Sequence, residues 1–239
     1  MGWLPQYYRT FIRKDESKHD SRLVCQLPRG CLLMPPIRIF GKPASRTFRV
    51  IWCAEELGLD YEIVPIQSAD GSMKSPGYLA VNPNGKIPAL ADGDVVMFES
   101  IAINCYLAKR YGTGGLWPAT PAEDALGLQW SFWAVAELEG PFITILMNRG
   151  YLPRDQRDRA AAQAAEMALQ PGLAVLDAAL ARTGHLIGDK FTIADLNVAA
   201  VLSWATNIGR LELGPFPNLV RWLRACYARP AAVRVNPLP

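Results

Sequence analysis

The sequence predicts an α/β N-terminal half followed by an all-helical C-terminal half, and three stretches carry that expectation. Between Asn82 and Ser100 the chain reads NPNGKIPALADGDVVMFES. The apolar runs IPAL and VVMF there are bracketed by the turn signals Asn84-Gly85 and Asp92-Gly93, the pattern of a β-hairpin that runs on into a helix. Upstream, IRIF (Ile37 to Phe40) reads as a short strand, GKPA as a loop, and Ser45 as the cap of a helix through FRVIWCAEELG that stops at Gly58. Beyond GTGGLWPATPAE, a glycine- and proline-rich linker between Tyr111 and Asp124, the pattern turns helical.

The chemistry concentrates where these elements begin. Proline has no N–H for a sheet ladder, so Pro88 at a strand head marks an edge or an interruption, with the main chain of Ile87 left free for an extended ligand. Read alone, Pro88 merely opens an ordinary strand in the trans form. Ser100 stands where VVMFE gives way to IAINCYLAKRY, as an N-cap at the positive end of a helix, where free N–H groups accept carboxylates. Glu99 adds a negative charge beside it. A ligand with an ammonium and a carboxylate on one carbon, the head of an α-amino acid, would match the pair; ordinary capping with an acidic neighbour is the alternative. Ser45 sits at another positive helix end, where hydroxyl and N–H donors lower a thiol from its ordinary pKa of about 8.5. Satisfying the N–H groups of Thr47 or Phe48 is compatible with that role.

In the C-terminal half, DALGLQWSFWAVAELEG offers one face through Leu126, Trp130 and Trp133 and another through Leu128, Phe132 and Val135. Arg159 to Arg182 is a long helical pattern in which Leu169, Leu173, Leu176 and Leu180 make a core stripe, with Pro171 expected to kink or restart the helix. Thr192 and Asp195 have capping-box spacing, and Phe191 and Leu196 the spacing of a hydrophobic staple, a folding signal rather than a site. Leu219, Trp222, Leu223 and Cys226 form the closing stripe.

Together these pieces resemble the glutathione transferase family, of the cytosolic, bacterial-like kind, from about Pro36 to Val233. The resemblance implies a thioredoxin-like domain with a mixed four-stranded sheet over residues 35–113, a linker over 114–122, and an all-helical domain over 123–233 that contributes the second-substrate site, with the cleft between them. In that family a serine, tyrosine or cysteine after the first strand meets the glutathione sulfur. Ser45 fits the serine type, no tyrosine lies between Met34 and Asp60, and Thr47 is the nearest substitute hydroxyl. The resemblance further implies that Ile87 pairs its backbone with the cysteinyl unit before a cis Pro88, that Glu99 and Ser100 hold the γ-glutamyl head, and that Lys86 reaches the glycine carboxylate. Trp130, Phe132, Trp133 and Trp204 are candidates for the second-substrate wall, although aromatics at helical spacing also make core. The implied activity joins the glutathione thiolate, glutathione being the co-substrate, to an electrophilic apolar or aromatic small molecule, in a homodimer. Two rivals use the same grip: glutathione-dependent peroxidase, isomerase or dehalogenase chemistry, and a non-catalytic glutathione-binding module. The SSC signature of the zeta type is missing, which lowers the maleylacetoacetate isomerase reading.

Composition narrows the classes. With 239 residues, 50% hydrophobic and 20% charged, the chain suits a soluble globular protein. The longest apolar stretches, such as VAAVLSWA, fall short of the roughly 20 residues that cross a bilayer, so no membrane span is expected. Net charge is +3, and because Met1 to Leu33 carries six basic and three acidic residues the remainder is balanced; no nucleic-acid partner is expected. Five cysteines (Cys25, Cys31, Cys53, Cys105, Cys226) and two histidines (His19, His185) have no metal-like spacing, so no metal is expected. The absence of C-x-x-C argues against thioredoxin-type exchange, and thiols of this kind suit a reducing, cytoplasmic setting. Met1 to Leu33, mixed in charge and broken by Pro5, Pro28 and Gly30, reads as an unstructured or mis-assigned extension that folding and activity do not need.

Overall fold

The computed structural model of the chain describes residues 36–207 and 211–235, except for the side chains of 204–207. The expectations for Met1 to Leu33, with Cys25, Cys31 and His19, lie outside the described residues. The first half is built from β1 (Ile37–Phe40), α1 (Phe48–Glu56), β2 (Tyr61–Val64), α2 (Pro76–Leu79), β3 (Ala89–Asp92), β4 (Val95–Phe98) and α3 (Ser100–Tyr111). The strands form one sheet in the order β2-β1-β3-β4, with β1 and β2 parallel and the other two pairings antiparallel.

Alternation along the strands gives the sheet two buried faces. Ile37, Ile39 and Leu90 join the main core with Phe48, Val50 and Ile51 of α1 and Ile103 and Leu107 of α3. Phe40, Ala89 and Ala91 point the other way, into a smaller core with Tyr78 of α2. α1 ends as its sequence requires: Gly58 takes φ +62°, and Leu59 N–H returns to the Ala54 carbonyl at 3.0 Å.

The second half comprises α4 (Pro121–Trp133), α5 (Gly140–Leu146), α6 (Arg159–Thr183), α7 (Ile193–Asn207), α8 (Pro217–Tyr227) and α9 (Pro230–Val235). A π-helical stretch, Ala134–Glu139, carries α4 into α5. The linker is pinned rather than loose, since Trp117 is buried and its indole N–H donates to Asp124 at 2.7 Å. α6 does not restart at Pro171 but runs through it as one helix. Pro171 and Met167, whose carbonyl loses its helical partner, both lie on the exposed side, where water can serve that oxygen. The four stripe leucines of α6 are fully buried, as are most side chains of α7 from Ile193 to Leu202.

α7 is the central post of the molecule, packing on α4, α5, α3 and α8. A polar thread crosses it: Asn104 of α3 donates to Asn197 at 2.9 Å, and Asn197 donates to Ser131 of α4 at 2.9 Å. α9 lies on α1, held there by a bidentate pair from Arg229 to Glu56 at 2.8 and 2.7 Å and by Arg234 to Glu55 at 2.6 Å.

The Thr192–Asp195 box forms as expected and gathers more than a cap. Asp195 is fully buried and accepts from the Thr192 N–H (2.9 Å), the Thr192 hydroxyl (3.2 Å), the Leu186 N–H (3.1 Å) and the Trp222 indole (2.8 Å). His185 Nδ1 stands 3.5 Å from the same carboxylate, too long for a good hydrogen bond, so it acts as an ion-pair partner when protonated. Asp195 raises the His185 pKa above its ordinary value despite partial burial. A raised folded-state value means this contribution is complete below the unfolded value, about 6.5, and is lost as pH rises through the folded one. Replacing Asp195 with alanine is expected to cost about 3 kcal/mol or more in urea unfolding, because four donors lose their acceptor together, and to flatten the fall in stability between pH 6 and pH 8. An unchanged unfolding midpoint would refute the assignment.

Candidate functional site

Three strands leave the sheet at one level. The pairs Phe40↔Ala89 and Ala89↔Phe98 stand side by side across β1, β3 and β4, so the loop after Phe40, the approach through Ile87 and Pro88, and the exit through Glu99 and Ser100 emerge at the same end. The sequence separations are long, but the register makes them neighbours.

Ser45 lies in the loop between β1 and α1, with an extended backbone (φ −148°, ψ −174°). Its hydroxyl accepts from the Thr47 N–H at 3.1 Å, the local capping contact expected of it, and donates to the Lys42 carbonyl at 2.7 Å. Thr47 Oγ1 lies 2.8 Å away. Because the single Ser45 proton is committed to Lys42, Thr47 is the donor in that pair. Thr47 is fully buried whereas Ser45 is half exposed. The loop needs glycine at position 41, where φ is +144° and a Cβ would lie 2.1 Å from Thr47 Oγ1.

The Ile87–Pro88 bond is cis, and pairing of β3 begins only at Ala89, so Ile87 stands beyond the last rung of the ladder. The preceding carbonyl, that of Lys86, accepts from the Tyr78 hydroxyl and from the Asn82 amide, each at 2.6 Å. Lys86 itself is exposed. A second lysine, which sequence reasoning missed, lies over the same turn: a Cβ on Gly85 would meet Lys74 Nζ at 2.8 Å. Nothing in SMKSP distinguished it from an ordinary surface lysine.

Ser100 is the first helical residue of α3 rather than its cap, and it is buried. Glu99 occupies the cap position, exposed and with φ +73°, a conformation that turns the chain sharply from β4 into the helix. Arg49 of α1 donates to Ser100 Oγ at 3.4 Å and thereby ties two of the three exits together.

Arg49 also marks where the helical half meets the site. Its guanidinium is buried and sits 2.8 Å from Glu139, which Arg46 pairs from the loop side at 2.9 Å. Burial pulls the Arg49 pKa below the usual arginine range, against the support of Glu139. Burial likewise pushes the Glu139 carboxyl up, but Arg49 and Arg46 together overcome this and hold it below its ordinary value. Arg46, Arg49 and Glu139 line a narrow crevice whose apolar wall is Phe142, Ile143, Leu146 and Val201. These apolar residues were not singled out from sequence; their helical spacing reads only as core.

Of the four aromatic residues expected at a second-substrate wall, the three whose side chains are described do not share one surface. Trp130 is buried in the main core, with Trp133 edge-on at 5.2 Å between ring centres. Trp133 packs toward α6, where a Cβ on Gly172 would touch it at 3.7 Å. Phe132 is 68% exposed on the outer face, and the Trp204 side chain lies outside the described residues. Among the described residues no cluster of three or more histidine, cysteine, aspartate or glutamate side chains is placed to hold a metal ion, and no helix is long and apolar enough to cross a membrane.

Residues 35–109 match the glutathione S-transferase N-terminal domain and residues 141–230 the glutathione S-transferase C-terminal domain. The chain belongs to the glutathione S-transferase family. It is 38% identical over 221 residues to glutathione S-transferase 3 of Zea mays, covering 86% of this chain and 97% of that one. With the glutathione S-transferase GstB of Escherichia coli it shares 35% identity over 206 residues, 85% of this chain and 99% of the other. Among solved structures, the theta class glutathione S-transferase of Xanthomonas axonopodis pv. citri with glutathione bound superposes with a TM-score of 0.78 at 36% identity, over 84% of this chain and 97% of that one. The family and the mixed-sheet-plus-helical fold are those the sequence implied.

The Glu139 contact yields a stability test. Glutamine at position 139 would leave Arg49 buried without its counter-charge, and the expected loss is about 3 kcal/mol in urea unfolding at neutral pH. Because the folded carboxyl is depressed, that contribution is present above about pH 4.5 and falls away as pH drops through the lower folded value; the variant should lack this acid-side slope.

Proposed function

We propose that the chain is a glutathione transferase that joins the glutathione sulfur to an electrophilic apolar or aromatic small molecule, with Ser45 steadying the thiolate. The observation that carries this reading is the shared level of the three sheet exits, which gathers a half-exposed hydroxyl at the mouth of α1, a main-chain segment outside the ladder at Ile87, and the buried hydroxyl of Ser100 at the start of α3. An extended tripeptide fits that order. Its cysteinyl main chain would pair with Ile87, its γ-glutamyl head would meet the Ser100 helix end and the Glu99 carboxylate, and its glycine carboxylate would lie toward Lys86 and Lys74.

Ser45 rather than Thr47 is proposed at the sulfur because Thr47 is fully buried. When a thiolate arrives, the Ser45 O–H turns from the Lys42 carbonyl to the sulfur. Thr47 meanwhile donates its N–H and its hydroxyl to Ser45 Oγ, which strengthens Ser45 as a donor. The helix N-terminus adds favourable potential for negative charge. The thiol proton goes to solvent; a sulfur lone pair forms the new bond at the electrophilic carbon, and the displaced electron pair leaves with the leaving group or is protonated after addition. The second-substrate surface this reading favours is the crevice wall beside Arg46, where Ile143 is exposed and Phe142 and Leu146 are buried behind it.

We further infer a homodimer, supported by the exposed Leu126, Phe132 and Val135 on α4 and the adjoining π-helical stretch. A cytoplasmic location is supported by the unpaired thiols of Cys53, Cys105 and Cys226. Sedimentation velocity should find a species of twice the chain mass, and a monomer at micromolar concentration would refute the dimer. Ser45→Ala should raise the pKa of the bound thiol and lower turnover roughly 100-fold while glutathione affinity is retained. A pH–rate profile identical to that of the unaltered chain would remove Ser45 from the mechanism.

A further inference from the structure

We propose that Tyr78 and Asn82 are positioning residues for the tripeptide: by holding the Lys86 carbonyl from the α2 side, they fix the plane of the Lys86–Ile87 peptide and direct the Ile87 N–H toward glutathione. This inference rests on the reading of the site given above.

The Lys86 carbonyl and the Ile87 N–H belong to one planar peptide unit, and the cis bond lies one residue later, between Ile87 and Pro88. In a trans unit the C=O and N–H point in opposite directions, so whatever orients the oxygen orients the donor as well. Two donors converge on that oxygen, the Tyr78 hydroxyl and the Asn82 amide, each at 2.6 Å. Tyr78 is 3% exposed and Asn82 2% exposed, which leaves water no room to replace either. Each donor is itself held. Tyr78 rides on α2, whose start is capped by Ser75 (Tyr78 N–H to Ser75 Oγ, 3.3 Å), and its ring packs against Phe40 of β1 with ring centres 6.2 Å apart. Asn82 accepts the Asn84 N–H at 3.1 Å, while its own N–H returns to the Tyr78 carbonyl at 2.8 Å. Burial raises the Tyr78 phenol to about 12, so it remains a donor across the working pH range. Donation onto a carbonyl also polarises the attached amide and makes its N–H a stronger donor.

Tyr78→Phe keeps the ring and removes only the hydroxyl; Asn82→Asp keeps the acceptor for Asn84 and replaces the donor. For Tyr78→Phe, KM for glutathione and its calorimetric Kd should rise about 3- to 10-fold, the range that one lost hydrogen bond gives, with a larger rise for Asn82→Asp. At saturating glutathione kcat, the KM for an aromatic electrophile such as chlorodinitrobenzene, and the pKa of the bound thiol should stay as in the unaltered chain. Glutathione affinity equal to that of the unaltered chain in both variants would overturn this inference alone. So would a fall in kcat and melting temperature with KM for glutathione unchanged, the signature of a merely structural role. If the unaltered chain failed to bind glutathione in the same calorimeter, the reading of the site would fail and this inference with it.

Discussion

The row of cross-strand partners Phe40, Ala89 and Phe98 sets where everything else can stand. Strand pairing moves in steps of one residue, and a slip of one would turn every side chain to the opposite face. Here a slip would send Ile39 and Leu90 out of the main core and Phe40 and Ala89 out of the smaller one. Two cores therefore defend the same alignment from opposite sides of the sheet. The level end of three strands is its by-product, and the Ser45 loop, Ile87 and Ser100 inherit their proximity from it.

The helical half secures that end through a few buried charges and dipoles rather than through apolar contact alone. Glu139 reaches both the loop that carries Ser45 and, by way of Arg49, the start of α3. α7, set by the Asp195 box, is the post on which α4 and α5 lean, so the fold signal at Thr192 and the placement of Glu139 belong to one mechanical chain. The bidentate Arg229–Glu56 pair closes the opposite side by fastening α9 to α1. Charges of this kind contribute little net energy when exposed but penalise misplacement when buried, which suits a joint that has to adopt one geometry.

Much of this was legible in the residues because local rules governed it. The hairpin, the leucine stripe of α6, the capping box and the Gly58 stop each follow from a short pattern with one physical solution, and the family resemblance supplied the mixed four-stranded sheet and the cis bond. What escaped depended on distance or on orientation. Ser100 looked like a cap, but the positive φ of Glu99 shifts the turn by one residue, and no residue type announces that shift. Pro171 looked like a break, yet its exposed position lets the helix continue. Trp130 and Trp133 share a stripe with core spacing, and only the fold shows that they face α6 and the core, while Phe142, Ile143 and Leu146 border the crevice. The Tyr78 and Asn82 contacts with the Lys86 carbonyl span eight and four residues through a turn, beyond the reach of any periodicity.

The cysteines carry a consequence for durability. A catalyst that joins glutathione to an electrophile, as proposed above, is itself exposed to that electrophile, and a protein thiolate is the group it would modify first. Burial pushes Cys53, Cys105 and Cys226 all upward, so each stays in the unreactive protonated form at neutral pH. Cys53 and Cys226 are almost wholly shielded from solvent as well. Among the described residues, the chain thus keeps its own sulfur in the form that electrophiles attack least.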